Sequence, residues 1–311
     1  MNIADLPRVV AAPMAGGPST PALVNAVGFG FLALGTCTPA QAREWLAQCE
    51  APFGANLFMP QAEQLREEAS AVAARLGADV PQVDLSWGFG EKFAAVIEAA
   101  PAIVSSTFGC FTAEQIGLLH AAGSQAWCTV AGERDAREAA RRGVDGLVVQ
   151  GPLAGGHRGT WTVAEEPGAE ALDELLERVV PLGLPIIAAG GARSAGDVAR
   201  LLGRGAQSVA CGTAFLLAEE AGTSEANREL LRSGRASVLS RAFSGRWARG
   251  LETEFTRAHP DLPPVYPYLR PLTQENEYCL VGAERGDLAA APAAAIEASL
   301  TPAPTPEIQQ V

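Results

Sequence analysis

Eight short apolar runs, each followed by a helical pattern, are the feature that most limits how this chain of 311 residues can fold. The runs are too apolar to expose either face, so they predict parallel strands buried on both sides. Eight such strands would close an α/β fold of the (β/α)8 TIM-barrel type. We expect the strands near Val9–Ala12, Gly30–Leu34, Phe53–Leu57, Ala102–Ser105, Gln125–Val130, Gly146–Gln150, Pro185–Ala189 and Ser208–Cys211.

The segments between and after these runs predict the domain organisation. Ala-rich amphipathic segments such as ERDAREAARRG and SAGDVARLLGRG should form the covering helices. The third connection, from Gln61 to Ala100, is unusually long, and its PQVDLSWGFGEK stretch is a candidate lid. We expect a barrel over 1–218 and, over 219–280, a small helical addition followed by a return of the chain to the barrel. Residues 281–311 have little apolar bulk and several prolines, which predicts a mobile tail.

Charge and cysteine usage narrow the partners. A net charge of −12 would repel a phosphate backbone, so nucleic acid is not an expected partner. The six cysteines lack CxxC spacing, which argues against a zinc cage and a disulfide scaffold, and no metal is expected. The first residues do not resemble a signal peptide, and no run of about 18 apolar residues occurs. We therefore expect a cytoplasmic protein without a membrane segment, and a homodimer is compatible with the sequence.

Glycines follow the last two predicted strands, in the segments AAGGARS and CGTAF. In β/α barrels a phosphate is often held by the loops after strands seven and eight, where backbone N–H groups are exposed. The alternative is that these glycines only end strands and let helices pack closely. The expected phosphate cradle consists of Gly190, Gly191, Ala210, Cys211, Gly212 and Thr213.

The loop after the sixth strand, QGPLAGGHRGTW, is the most informative stretch. The amide of Gln150 both donates and accepts, which suits the edge of a heterocycle such as a flavin pyrimidine ring. Gly155 and Gly156 allow the backbone to approach a flat ligand and deliver His157 to the barrel mouth. An imidazole there can accept a proton or stabilise an anion. A lone histidine is more often a surface or packing residue, which is how we interpret His120 and His259, and Arg158 is given no role.

Two further segments supply candidates at the same mouth. Small residues in AAPMAGGPST, after the first strand, would leave a ring face open, although ordinary turn chemistry with a Ser19–Thr20 helix cap explains them too. Asn56, at the end of the third strand, is a polar residue in a buried-looking strand and needs a specific partner. The candidates from the first loop are Ala12, Pro13, Met14 and Ala15.

Taken in order, these motifs resemble the nitronate monooxygenase family over roughly residues 9–272. The motifs are APMAGGPSTPALVNAV, GANLF, IVSSTFG, QGPLAGGHRGTW, PIIAAGG, VACGTAF and SGRWARGLETEF with the following VYPYL. The resemblance implies FMN as the prosthetic group, contacted by Asn56, Gln150, Gly155, Gly191 and the Ala210–Thr213 segment. It implies that His157 is the active-site histidine, and that a nitronate or nitroalkane reacts with O₂ to give a carbonyl compound and nitrite.

Some expectations remain open at this point. Ser106 stands where the family has an aromatic residue, so we expect it to face the substrate together with His157 and to make that side more open or polar. His157 would act either as the base that removes a nitroalkane proton or as an electrostatic stabiliser. One alternative activity is an NAD(P)H-dependent reductase of a quinone or an enoyl thioester, which shares the AGGH loop. A second alternative, from another class, is a non-redox barrel that binds a phosphate ligand.

Overall fold

A computed structural model describes residues 5–50, 52–61, 66–285 and 288–303. The strands of this part of the chain are β1 (Val9–Ala11), β2 (Phe31–Ala33), β3 (Gly54–Phe58), β4 (Ile103–Thr107), β5 (Gln125–Val130), β6 (Gly146–Gln150), β7 (Gly156–His157), β8 (Ile186–Ala189), β9 (Ser208–Cys211), β10 (Ser237–Ser240) and β11 (Ala248–Leu251). Its α-helices are α1 (Pro21–Asn25), α2 (Pro39–Gln48), α3 (Arg66–Arg75), α4 (Phe89–Ala99), α5 (Ala113–Ala121), α6 (Glu133–Arg142), α7 (Leu172–Val179), α8 (Ala195–Gly203), α9 (Glu225–Arg232), α10 (Glu254–Ala258), α11 (Leu269–Leu272) and α12 (Ala293–Leu300). The described part of the chain contains no helix with the length and hydrophobicity that a bilayer span requires.

Eight strands form one parallel sheet that closes on itself. Their order is β1-β9-β8-β6-β5-β4-β3-β2, and a parallel bridge between Ala11 and Gly30 joins the two ends. The Ala11 N–H also donates to the carbonyl oxygen of Phe29 at 3.0 Å, across the same junction. The predicted TIM barrel is confirmed, and the predicted strand ends differ from the observed ones by no more than two residues.

Alternate residues of each strand point into the barrel or toward the covering helices, because side chains alternate along a strand. The inward cluster includes Val10, Phe31 and Trp127, whereas the larger outer cluster includes Val104 and Leu147. Trp127 is fully buried, and Gly146 on the neighbouring strand makes room for it, since a Cβ there would lie 2.5 Å from the indole. Large apolar side chains therefore fill the barrel interior as a packed core.

A second, three-stranded antiparallel sheet lies beyond the barrel, in the order β10-β11-β7. The predicted addition over 219–280 is thus not purely helical, since β10 and β11 lie within it beside α9, α10 and α11. Each of these two strands has four residues, and β11 finds its second partner in the two-residue strand β7, far away in sequence. Such short strands are stabilised by tertiary pairing and leave little local pattern.

The predicted mobile tail over 281–311 also needs correction in its described part. Helix α12 covers the barrel near β1 and α8, and Ile296 and Leu300 are buried in the outer core. The Glu297 carboxylate also accepts the Gly28 N–H at 2.9 Å. Two large apolar side chains at helical spacing are enough to dock a short Ala-rich helix, which composition alone did not reveal. Residues 286, 287 and 304–311 of that segment lie outside the described residues.

Candidate active site

Polar side chains line the barrel interior at the carboxyl ends of the central strands. Asn56 Nδ2 donates to Ser105 Oγ at 2.9 Å and to Thr107 Oγ1 at 3.0 Å. Thr107 Oγ1 in turn donates to Thr129 Oγ1 at 3.3 Å. We call these four side chains the polar belt. It lies between the apolar interior cluster and the barrel mouth, so the interior is filled by apolar side chains and the mouth is lined by polar ones. The partners expected for Asn56 are therefore found on one neighbouring strand, β4.

Gln150 holds the loop that carries His157. Its Oε1 accepts the Gly159 N–H at 2.8 Å and the Arg158 Nε–H at 3.3 Å, while its Nε2 donates to the His157 carbonyl at 2.9 Å. Arg158, also buried, donates through Nη2 to the Gly168 carbonyl at 3.3 Å. Both ends of the Gln150 amide are thus used to fold residues 157–159 back over the mouth, a role that sequence reasoning did not assign to it.

His157 is placed by strand pairing. It lies in β7 opposite Ala248 of β11, and the next residue's N–H donates to the Trp247 carbonyl at 2.8 Å. The imidazole Nε2 lies 2.7 Å from Ser244 Oγ. Because Ser244 is buried and itself begins the turn before β11, this hydrogen bond fixes the orientation of the ring.

Aromatic rings enclose the imidazole. The ring centroid of His157 lies 6.5 Å from Phe58, 5.7 Å from Phe108 and 5.5 Å from Tyr266. Trp87, from the predicted lid segment, packs on the Tyr266 ring at 5.8 Å. The long third connection therefore reaches the barrel mouth and helps to wall it.

This environment keeps the imidazole neutral. Burial, followed by the positive charge of Arg246, lowers the pKa of His157 from 6.5 to about 3. Burial disfavours the charged imidazolium, and a like charge nearby disfavours it further. At neutral pH the ring is available as a hydrogen-bonding group and carries no charge of its own.

Arg246 is a buried cation whose charge acts on His157. Its side chain is fully buried, and its Cζ lies 4.1 Å from the centroid of the Phe108 ring. Nη1 donates to the Thr160 carbonyl at 2.6 Å and Nη2 to Gln61 Oε1 at 2.6 Å. Burial lowers the pKa of Arg246 to about 10, so the group stays charged at neutral pH.

The glycines after β8 and β9 form a backbone concavity. Gly190 and Gly191 have φ of +105° and +83°, in the region that favours glycine. A Cβ on Gly190 would lie 2.9 Å from the Ala154 backbone nitrogen, so a larger residue does not fit there. Among the described residues, the N–H groups of Gly191 and Thr213 donate to no backbone or side-chain oxygen. Unengaged N–H groups at this position are suited to an anion such as phosphate.

The chain near Gly282 passes directly over this concavity, which the sequence did not indicate. The Gly282 N–H donates to Thr213 Oγ1 at 2.9 Å, and the next N–H donates to the Leu153 carbonyl at 3.0 Å. Gly155 allows this approach, because a Cβ there would lie 2.6 Å from the Gly282 nitrogen. Gly156, with φ of +82°, has open space around the position of a Cβ. The segment around Gly282 thus completes the wall of the barrel mouth beside the glycine loops.

The loop after β1 forms the opposite edge of this concavity. The Ala12 N–H donates to the Cys211 carbonyl at 3.0 Å, and the position of a Cβ on Gly212 lies 3.5 Å from both Ala12 and Met14. Ser19 Oγ accepts the Met14 N–H at 2.8 Å, and Thr20 caps α1 as predicted. Beyond Pro13, Ala15 packs against the aromatic residues around His157. The first loop therefore links the glycine concavity to the ring cluster around His157. We call this cluster, formed by Phe58, Phe108, Tyr266 and Trp87, the aromatic chamber.

Two predicted residues do not present their side chains to the mouth. Ser106 is fully buried and, two residues after Val104 on β4, faces the covering helices as Val104 does. Its Oγ lies 3.5 Å from the Trp127 carbonyl oxygen. Thr107, one residue later, points inward in its place. Cys211 likewise packs in the outer cluster, whereas its neighbour Ala210 belongs to the interior cluster.

The other two histidines lie elsewhere, in agreement with their interpretation as surface or packing residues. His120 Nε2 lies 2.8 Å from Asp145 Oδ2 on an exposed helix face, and His259 stacks on Phe255. Sequence reasoning missed Ser244, Arg246 and Tyr266. They lie in the motifs SGRWARG and VYPYL, where a buried-looking arginine among apolar residues was the available signal.

Comparisons with known proteins match nearly the whole chain. A family model described as nitronate monooxygenase matches residues 1–297. A nitronate monooxygenase of Pseudomonas aeruginosa is 32% identical in an alignment that covers 91% of this chain and 88% of that protein. A nitronate monooxygenase of Paraburkholderia phytofirmans is 34% identical over 83% of this chain and 78% of that protein.

Solved structures agree with the sequence matches. Nitroalkane oxidase from Streptomyces ansochromogenes superposes with a TM-score of 0.85 at 30% identity, covering 94% of each chain. FabK from Thermotoga maritima superposes with a TM-score of 0.72 at 20% identity, which supports the fold alone. With the barrel, the glycine loops and the His157 loop in place, the family match and these relatives lead to one conclusion: the chain belongs to the nitronate monooxygenase family.

Proposed function

We propose that this protein is an FMN-dependent oxidoreductase that uses O₂ to oxidise a nitronate or nitroalkane to a carbonyl compound and nitrite. The observation that carries the proposal is an imidazole, fixed by Ser244 and surrounded by aromatic rings, at the same barrel mouth as a glycine concavity. The relatives named nitronate monooxygenase and nitroalkane oxidase support the same reaction class.

The residues at the mouth fit FMN. The unengaged N–H groups of Gly191 and Thr213 suit its phosphate, and the loop from Ala12 to Ala15, where a flat ring would lie, connects this concavity to the aromatic chamber. Asn56 lies in the polar belt below that space. Gln150 would act mainly by holding the His157 loop. When bound, FMN supplies the redox chemistry, while the protein binds and orients.

Within this site His157 would contact the substrate. Its low pKa makes the ring a weak proton acceptor toward a neutral nitroalkane, because catalytic bases work best with a pKa near the operating pH. A neutral ring beside the Arg246 cation instead favours a substrate that is already anionic. We therefore favour the electrostatic role of His157 and a nitronate as the preferred substrate. The walls formed by Phe58, Phe108 and Tyr266 exclude water from the reacting group.

The purified protein tests the proposal directly. We expect yellow absorbance from bound FMN, anaerobic bleaching of the flavin by a small nitronate, and nitrite release with oxygen consumption in air. Replacing His157 by Asn should lower turnover by about 10²- to 10⁴-fold if it acts as a base and less if it acts only electrostatically, with FMN retained. His120→Asn, on an exposed helix face, is the matched control and should behave as the wild type.

Two results would contradict the proposal. Bleaching by NADH or NADPH but not by any nitronate would assign the protein to the reductases of a quinone or enoyl thioester. A colourless protein that takes up no added FMN would indicate a non-redox phosphate-binding barrel. The cytoplasmic location and a homodimer stay predictions.

A further inference from the structure

Three buried hydrogen-bond donors near His157 have no partner in the part of the chain that the structure describes. They are the Arg246 Nε–H, the Tyr266 hydroxyl and the indole N–H of Trp87. Buried polar groups in folded proteins are nearly always paired, and an unpaired one calls for a physical explanation. Three within one chamber point to a group that arrives from outside the chain.

The three donors belong to one cluster around the Tyr266 ring. The Arg246 Cζ lies 5.4 Å from the centroid of that ring, the Trp87 ring lies 5.8 Å from it, and the His157 ring lies 5.5 Å from it. Trp161 and Trp247 also hold unpaired indole N–H groups, but neither ring packs on Tyr266 or His157 among the described residues. Within the same described ranges, Arg241 Nε is unpaired as well and its Cζ lies 4.7 Å from the centroid of the Trp247 ring, so two such donors meet there, whereas three meet in the chamber that contains the imidazole.

The charge of the cluster selects the kind of ligand. Among the described residues, the Arg246 guanidinium forms no ion pair, and its hydrogen-bond partners are the neutral oxygens of Thr160, Thr162 and Gln61. Burial lowers the pKa of Arg246 and the charge of the Glu165 carboxylate opposes this, but that carboxylate pairs with Arg134 instead. Burial raises the pKa of the Tyr266 phenol, so its oxygen keeps its hydrogen and remains a donor. A buried cation is costly unless an opposite charge joins it. The complement of this cluster is a small anion whose oxygens accept hydrogen bonds.

We propose that Arg246, Tyr266 and Trp87 form an oxyanion pocket that binds the oxygens of the substrate's nitronate group beside His157. This inference rests on the proposed function for the identity of the anion, and it assigns recognition to residues other than the histidine. Charge-assisted hydrogen bonds from a guanidinium to an oxyanion are stronger than neutral ones, so Arg246 should contribute most. The alkyl part of the substrate would then face the apolar rings of Phe58 and Phe108.

Acetate is a suitable probe, because it is a planar oxyanion close to a nitronate in shape and is not a substrate for the proposed oxidation. Its binding to the holoenzyme is measured by calorimetry and by the change in flavin absorbance. We expect Tyr266→Phe, which keeps the ring and removes only the hydroxyl, to weaken acetate binding about tenfold and raise the KM for a nitronate more than it lowers kcat. Arg246→Gln should weaken binding further, and Trp87→Phe should weaken it to a similar extent as Tyr266→Phe.

Matched controls separate recognition from general disturbance of the fold. Tyr268→Phe makes the same change at a buried tyrosine in a different apolar cluster, and Trp247→Phe removes an unpaired indole outside the chamber. Both should bind acetate as the wild type does. Since Tyr266→Phe changes little volume, it keeps the inference testable even if the Arg246 variant does not fold.

The pocket is disproved if Tyr266→Phe and the wild type bind acetate equally, or if the wild type does not bind acetate. That failure is distinct from failure of the proposed function. A holoenzyme that releases nitrite while its variants bind acetate normally would reject only the pocket. The opposite result is also possible to recognise. If calorimetry shows acetate binding that the variants weaken, but no nitronate reduces the flavin, the pocket is supported and the proposed function is rejected.

Discussion

The imidazole Nε2 of His157 lies 2.7 Å from the hydroxyl oxygen of Ser244, although 87 residues separate the two in sequence. Pairing of β7 with β11 sets this distance, because Ala248, opposite His157, follows Ser244 by one short turn. The ring is thus oriented by a segment outside the eight-stranded barrel.

Replacing Ser244 by Ala should lower kcat with a nitronate by about ten- to a hundredfold, since small misplacements of a catalytic group have effects of this size. FMN content should not change, because Ser244 lies at the chamber and away from the glycine concavity. Steady-state kinetics and the flavin spectrum check both statements. Ser233→Ala, which removes an exposed hydroxyl after α9, is the control, and equal kcat in the two variants would refute the orienting role.

Stability should fall as the pH decreases from about 6.5 toward 3 because of His157. Its pKa is near 6.5 in the unfolded chain and about 3 in the folded protein, so only the unfolded state takes up the proton in this window. One proton corresponds to a slope of about 1.4 kcal/mol per pH unit. Urea unfolding at pH 7 and pH 5 should show a smaller loss of stability for His157→Asn than for the wild type. A loss that is the same in both proteins would show that His157 is not responsible.

Gly190→Ala should reduce FMN affinity by at least about tenfold and also lower stability. Its Cβ would lie 2.9 Å from the Ala154 nitrogen in a backbone with φ of +105°, so the concavity must open or shift. Flavin fluorescence during titration with FMN measures the dissociation constant. Gly196→Ala, in the first turn of α8 with only Ser194 Oγ nearby at 3.6 Å, should retain FMN normally. Equal affinities for the two variants would remove the glycine concavity from the FMN site.

Leu300→Ala should destabilise the protein by about 2–5 kcal/mol, the usual range for truncating a buried leucine. Leu300 is 3% exposed in α12, where it packs in the outer core, whereas Leu118 on α5 is 48% exposed. Leu118→Ala is therefore the control and should change the free energy of unfolding by less than about 0.5 kcal/mol. A Leu300 variant as stable as this control would mean that α12 does not contribute to the core.

The predictions for Asn56 and Ser106 had different outcomes because neighbouring residues of a strand face opposite sides of the sheet. Asn56 and Ser105 are paired in the β3–β4 register and both point inward, so Thr107 points inward as well and Ser106 points toward the helices. The expectation of a substrate-facing Ser106 came from a motif position, which carries no information on which face a strand residue occupies. The alternation of side chains along β4 decides that.

Local sequence patterns were sufficient to predict the barrel and the end of the barrel at which the site lies. Strand runs and helix periodicity are local signals. Because the carboxyl ends of parallel strands meet on one side of a barrel, the sequence also predicts that the Gly190 and Gly212 loops lie near His157. The partners of Gln150, the contact of Ser244 with His157, the unpaired Nε–H of Arg246 and the docking of α12 became visible only in the folded protein. Those features depend on contacts between residues far apart in the chain, which are stabilised by burial and hydrogen bonding in the folded protein and therefore leave no periodic pattern in the sequence.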